Sequence, residues 1–220
     1  MTYHELRSKC KRQSDYIITL FVTNEVSLLI TWLLLRTRII PNQVTAVSIL
    51  CEFICALFYA SGHFLAGSAF YFLAHVLDCT DGNLARAKEI FSPLGRWFDF
   101  VGDRIGEVFI FLGISVYFYR TESLFGWMTL TMLDSILVLL YYYIVDIGLS
   151  LGVSTPRQNL TSKKFKDVQV KWGLYEPIMY GLIVLTPLGL LKLQIVLTFV
   201  MLMFGFTYQI YKNYLHFKSL

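Results

Sequence analysis

The chain has 220 residues, 56% of them hydrophobic and 15% charged, with a formal net charge of +4 and a mean hydropathy of +0.58. An ordinary soluble domain carries about 25% charged residues and fewer than half apolar ones, so that class is excluded. Each membrane-spanning helix takes about 20 mostly apolar residues; six spans would use roughly 120 and leave about 100 for loops and ends, enough for one membrane domain and not two.

From the N-terminus, Met1 to Asp15 is polar and charged and reads as no cleavable signal peptide. Leu20 to Leu35 reads as a helix whose apolar run is broken by Thr23, Asn24, Glu25, Ser27 and Thr31 and closed by Arg36 and Arg38. It is too short to cross a bilayer and is expected to lie in the headgroup plane. Pro41 ends that stretch and Asn42 opens the next helix.

Six candidate spans follow, at about 43–61, 64–86, 95–118, 124–148, 173–190 and 193–214. The expected fold is therefore all-α and polytopic: an N-terminal cytoplasmic, interfacial amphipathic helix segment over 1–40 and a six-helix membrane domain over 41–220. Short turns follow the first, third and fifth spans, and the long basic loop 149–172 follows the fourth. With both termini on one side, that side holds every Lys and Arg except Arg104, Arg120 and Lys192, which makes it cytoplasmic by the positive-inside rule. The basic excess reads as orientation and attraction to anionic membrane lipids. No basic recognition helix points to nucleic acid. Cys10, Cys51, Cys55 and Cys79 have no second Cys or His pair at zinc-finger spacing and read as apolar packing residues.

The acids carry the chemistry. Of fifteen Asp and Glu residues, Glu52, Asp78, Asp81, Asp99, Asp103, Glu107, Asp134 and Asp146 fall within or at the ends of spans, where ionisable groups are costly and point to function. Asp78 and Asp81 are three apart on one helix face, and Asp99 and Asp103 four apart on the next. A hairpin around Ser92-Pro93-Leu94-Gly95 folds the two stripes antiparallel, at the same depth. Two carboxylates about 5 Å apart repel by roughly 3 kcal/mol at an effective dielectric near 20. Four together call for cations, and hard oxygen ligands suit Mg²⁺ or Mn²⁺, expected as two ions. The competing explanation is helix-end acids in water, paired with Arg86, Lys88 and Arg96. Gly82 and Ala85 continue the Asp78/Asp81 face without bulk, as close helix packing would also require. Arg86 stands one turn on, placed to neutralise phosphate oxygens.

In this run, Asp78-x2-Asp81-Gly82-x2-Ala85-Arg86-x8-Gly95-x3-Asp99-x3-Asp103, every fixed position and spacing resembles the signature of the CDP-alcohol phosphotransferase (phosphatidyltransferase) family. Pro41-Asn42-Gln43-Val44-Thr45 is similar to the element opening that family's first helix, and the likeness covers about residues 40–215. The resemblance implies transfer of a substituted phosphate from a CDP-linked alcohol to a hydroxyl acceptor, releasing CMP, in phospholipid or related phosphodiester synthesis. It implies that Asp78, Asp81, Asp99 and Asp103 hold the two ions and that Asp103 also takes the acceptor's proton. Gly82, Ala85 and Arg86, with Ser92, Asn42 and Thr45 around them, would contact the CDP donor, and the enzyme would form a homodimer. The acceptor site is not indicated, and the donor reads either as CDP-diacylglycerol or as a CDP-linked small alcohol or polyol, such as a CDP-linked inositol.

Two other classes fit less well. An intramembrane prenyltransferase needs a second aspartate-rich motif, and none follows Asp103. An ion transporter would place acids or broken helices at the midplane rather than at one surface. Elsewhere, Glu107 reads as a neighbour of the site or a partner of Arg104, and Asp134 and Asp146 as structural acids bonding Tyr hydroxyls. His75 reads as a packed, hydrogen-bonded histidine. The Lys163, Lys164, Lys166 cluster reads equally as an anion-attracting patch or a solvated loop.

Overall fold

The computed structural model describes residues 1–11, 14–122, 125–153, 164–165, 168–171 and 173–218. Its elements are α1 (Tyr3–Lys9), β1 (Ser14–Tyr16), a π-helical turn (Thr19–Thr23), α2 (Asn24–Leu34), α3 (Pro41–Ala60), α4 (Phe64–Lys88), α5 (Pro93–Glu122), α6 (Phe125–Ser150), β2 (Lys164–Phe165), β3 (Val168–Lys171), α7 (Tyr175–Leu185) and α8 (Leu191–Lys218). The chain is nearly all helical, as its composition indicates. One small sheet departs from the all-α expectation: β3 pairs in parallel with β1, Ser14 opposite Gln169, and antiparallel with β2.

Three helices are long and apolar enough to cross a membrane by length and composition: Pro41–Ala60, Gly126–Ser150 and Leu191–Lys218. α4 and α5 have 25 and 30 residues, about 37 and 45 Å at 1.5 Å per residue, but they carry the charged motif. α7 is shorter than the 173–190 stretch expected. Pro177 stands in its first turn, where a missing N–H is tolerated, and Pro187 lies just past its end. Leu185 closes the helix with a turn in which Gly189 takes φ +77° and the Leu190 amide donates to the Leu185 carbonyl at 2.9 Å.

The same 6→1 closure ends three other helices. Gly62 (φ +80°) and Gly152 (φ +84°) serve α3 and α6, while α4 ends on Glu89 at φ 59°. A side chain in that left-handed region costs about 1–2 kcal/mol. Lys9 Nζ answers it, donating to Glu89 Oε1 at 2.6 Å and to the Ala87 carbonyl at 3.2 Å. That bond also holds the exposed Glu89 carboxyl below its usual range.

α3, α4 and α5 pack together, α6 lies against α5 and α8, and α7 packs on α4 and α8. The core between them includes Tyr59, Ile110, Ile114, Phe118, Met179, Leu182, Ile195 and Leu202. Along the α3–α5 seam, Gly102, Gly106 and Gly113 stand against Ile49, the Glu52 carboxylate and the Ala56 backbone, leaving no room for a Cβ. The outer surface is apolar: Val116, Ile136, Leu140, Val200 and Phe204 are all exposed, far more than water-facing surfaces hold in contiguous patches.

Helix ends sort as the turns require. Lys192 pairs with Glu122 at 2.7 Å and lies over the Trp127 ring, and Gly62 sits against Tyr117, so the three short turns share one end of the bundle. At the other end Lys88 donates to the Thr37 and Ile39 carbonyls. There α1 and α2 pack on the end of α4 through Leu6, Cys10, Leu28 and Ala87. The polar residues that interrupt the 20–35 stretch have a packing role. Thr23, Ser27 and Thr31 are buried, whereas Phe21, Val22, Val26, Leu29 and Leu33 are exposed. Asn83 Nδ2 donates to Ser27 Oγ at 2.7 Å. All four cysteines are buried, and none is joined to another in a disulfide.

Candidate functional site

α4 and α5 supply the acids, and the hairpin between them is set locally. Ser92 caps α5, its Oγ accepting from the Gly95 amide at 2.9 Å, with Pro93 in the first turn. Gly95 has no side chain because one would strike Asn42 Oδ1 at 2.7 Å and Ser92 Oγ at 2.9 Å. This close approach brings the start of α3 beside the start of α5.

Three of the four aspartates converge. Oxygens of Asp78, Asp99 and Asp103 all lie within 4.8 Å of one another. Asp81 is turned toward α3, where Thr45 Oγ1 donates to its Oδ2 at 2.5 Å, and it is only 5% exposed. Beside the acids opens a cavity of about 890 Å³, within the range of small-molecule sites. Its lining holds Asn42, Thr45, Asp81, Gly82, Ala85, Arg86, Ser92 and Asp99, so all the expected donor-side residues face one space. Asp78 and Asp103 are not in that lining and meet it through Asp99. Around Gly82 there is room, a Cβ there meeting only the Arg86 guanidinium at 3.6 Å. Arg86 in turn donates to Asn83 Oδ1 at 2.6 Å.

The donor set fits a hard divalent cation. It is all carboxylate, and Asp99 Oδ1 is buried with no hydrogen-bond partner among the described residues. The neighbouring cation is engaged elsewhere: Arg104 Nη1 donates to Glu107 Oε2 at 2.8 Å, and its guanidinium lies over the Tyr142 ring at 3.4 Å. Glu107 is thus the partner of Arg104, buried one turn deeper than Asp103.

Other expectations shift. Asp134 is fully buried, yet neither oxygen has a hydrogen-bond partner among the described residues, so it does not bond a Tyr hydroxyl there. Lys163 and Lys166 lie outside the described residues, and Lys164 falls in β2. The cavity also holds Phe91, Arg96, Trp97 and Phe100, which the motif does not single out. Their signal is positional: Phe91, Arg96 and Trp97 lie between the two acid stripes, and Phe100 directly follows Asp99. His75 is buried and hydrogen-bonded as expected, to Thr19 and Tyr175.

Acids on two antiparallel helices beside a cleft of small-molecule size form a candidate divalent-metal site in an apolar helical bundle. The family model for CDP-alcohol phosphatidyltransferase matches residues 38–217. The chain belongs to that family. Among curated relatives, a protein of Rubrobacter xylanophilus named "Bifunctional IPC transferase and DIPP synthase" is 36% identical over 83 residues, 38% of this chain and 19% of that one. A protein of the same name from Thermococcus kodakarensis is 31% identical over 134 residues, 60% of this chain and 30% of that one. The matched stretches thus span less than a third of the length of either relative. Among solved structures, Mycobacterium tuberculosis phosphatidylinositol phosphate synthase with CDP-DAG bound superposes with TM-score 0.68 at 18% identity, covering 88% of this chain and 94% of that one. The same enzyme in complex with manganese and citrate gives 0.67 at 18%, covering 86% and 88%. At that identity the likeness establishes the fold.

Proposed function

We propose that the enzyme transfers a substituted phosphate from a CDP-linked alcohol to a hydroxyl acceptor and releases CMP. The observation that carries this is the convergence of Asp78, Asp99 and Asp103 beside a cavity that gathers Gly82, Ala85, Arg86, Ser92, Asn42 and Thr45. Those aspartates, with Asp81, hold two divalent ions, Mg²⁺ or Mn²⁺; manganese in the mycobacterial enzyme supports the choice. When bound, the ions neutralise the diphosphate and the departing CMP. Arg86 takes up phosphate charge with its planar fork, and the bare face at Gly82 and Ala85 admits the donor to the backbone. Asn42 and Ser92, held together over Gly95, border the nucleotide. The acceptor oxygen attacks the phosphorus that bears the donor alcohol, the bond to CMP breaks, and Asp103 receives the acceptor's proton.

In the membrane, α3 to α8 form six crossings with α7 the short member, and α2 lies at the interface with its apolar face in lipid. The aspartate end, the termini and loop 149–172 are cytoplasmic, and two copies associate. Residues 1–40 form the interfacial segment and 41–220 the catalytic domain. The donor is CDP-diacylglycerol or a CDP-linked small alcohol or polyol; CDP-DAG bound in the mycobacterial structure supports the first.

The test is CMP release by detergent-purified protein, with CDP-DAG and CDP-inositol screened against alcohol acceptors and products read by mass spectrometry. Activity should disappear in EDTA and return with Mg²⁺ or Mn²⁺. Asp78→Asn and Asp99→Asn should abolish it, while Asp103→Asn should slow turnover about 10²–10⁴-fold, the usual loss with a general base. Full activity in chelator would overturn the reading.

A further inference from the structure

His75 precedes Asp78 by one turn of α4 and is only 6% exposed. Its Nε2 lies 3.3 Å from Thr19 Oγ1. The Thr19 hydroxyl donates to Glu176 Oε1 at 3.2 Å, and the Thr19 amide donates to the same oxygen at 2.9 Å. A hydroxyl has one proton to give, so with Glu176 receiving it, Nε2–H donates to Thr19. Nδ1 then accepts from the Tyr175 hydroxyl at 3.4 Å and faces Asp78 Oδ2 at 4.0 Å. Tyr175 and Tyr180 each pack against the imidazole with ring centroids 5.8 Å away, so the ring is held by two aromatic neighbours as well as at both nitrogens. An acceptor nitrogen beside a carboxylate repels it. The arrangement therefore closes the α7 side to the Asp78 carboxylate and keeps it turned to α5, where Asp99 and Asp103 stand.

We infer that His75 is a positioning residue for Asp78, fixed by a Glu176–Thr19–His75 chain that makes the π-helical turn and the start of α7 part of the active site. The inference rests on Asp78 being a metal ligand, as proposed above. Groups that orient metal ligands typically change metal affinity about 10–100-fold when removed.

The test uses the full chain in detergent, with Mn²⁺ binding followed by electron paramagnetic resonance and, separately, the Mg²⁺ dependence of CMP release. His75→Phe keeps a flat ring against the two tyrosines but has no ring nitrogen. It should weaken Mn²⁺ binding about tenfold or more and raise the Mg²⁺ needed for half-maximal rate in parallel, with kcat at saturating Mg²⁺ within about threefold of the parent. Thr19→Val, which leaves α4 untouched, should weaken binding in the same direction, and Thr19→Ser should restore it; this pair decides the matter if His75→Phe fails to fold. A parent that binds no Mn²⁺ would sink the metal-site reading itself. A parent that binds it while His75→Phe and Thr19→Val bind it equally well, with only thermal stability lowered, would overturn this inference alone.

Discussion

Thr45 shows how a single side chain from a neighbouring helix can hold a carboxylate of the motif. Its hydroxyl donates to Asp81 Oδ2, and Asp81 is almost wholly buried. A buried carboxylate that loses its donor keeps the full desolvation penalty, about 1–3 kcal/mol or more for a charged group. Thr45→Val should therefore lower the apparent affinity for Mg²⁺ by about tenfold or more, while Thr45→Ser should stay near the parent. A Mg²⁺ titration of initial rates measures both, and equal titrations would remove Thr45 from the site. At this scale the sequence was most legible where helical period alone was decisive. Asp99 and Asp103, four apart, share one face by helical period, and the Ser92–Gly95 hairpin brings Asp78 to them. Asp81, three residues from Asp78, was expected on the same stripe, but its partner comes from α3, and no local spacing encodes a bond across 36 residues. The orphaned oxygens of Asp134 were equally illegible, because a sequence does not say which hydroxyls a buried acid fails to reach.

Among the elements, the seam between α3 and α5 is the least forgiving. The glycines at 102, 106 and 113 meet partners of different stiffness: the tip of Ile49, the carboxylate of Glu52 and the backbone carbonyl of Ala56. A side-chain tip can rotate away, but a helix carbonyl cannot without breaking its ladder. Gly113→Ala should accordingly cost about 1–3 kcal/mol, the usual range for overpacking, with Gly102→Ala milder. Thermal unfolding in detergent would rank them, and a Gly113→Ala melting point above that of Gly102→Ala would refute the seam as described. Element boundaries followed from the hydropathy pattern within a few residues for α3, α4, α5, α6 and α8. α7 did not, because apolar residues run on past Leu185 while Pro187 and Gly189 decide the backbone. The sheet was invisible for a different reason. Its pairing of Ser14 with Gln169 is non-local, and neither the three-residue β1 nor the four-residue β3 has a periodic pattern long enough to read.

For the whole molecule, the placement of charge makes the topology testable. The Glu122–Lys192 pair and the contact between Gly62 and Tyr117 put the three short turns together. The cytoplasmic side should be the opposite one, where Lys9, Lys88 and the acids lie. In a cysteine-free background, a single cysteine near Arg120 should react with an impermeant thiol reagent in intact cells, and one in loop 149–172 should not. The reverse pattern would put the acids on the side that cytoplasmic nucleotides cannot reach.

The bond between Thr19 and Glu176 also has a consequence for how the enzyme is made. Every aspartate of the motif has left the ribosome by Asp103, yet Glu176 emerges 73 residues later (176 minus 103). At about 5–20 residues per second, that interval is about 4 to 15 s. Throughout it, the segment before α2 lacks its β3 partner and its contacts on α7, and the nascent bundle presents a finished acidic motif without the strut behind Asp78. Ribosome-bound chains stalled between those two points should insert their first helices normally but bind Mn²⁺ more weakly than the released protein. The emergence of α7, long after the motif, would then be what arms the enzyme.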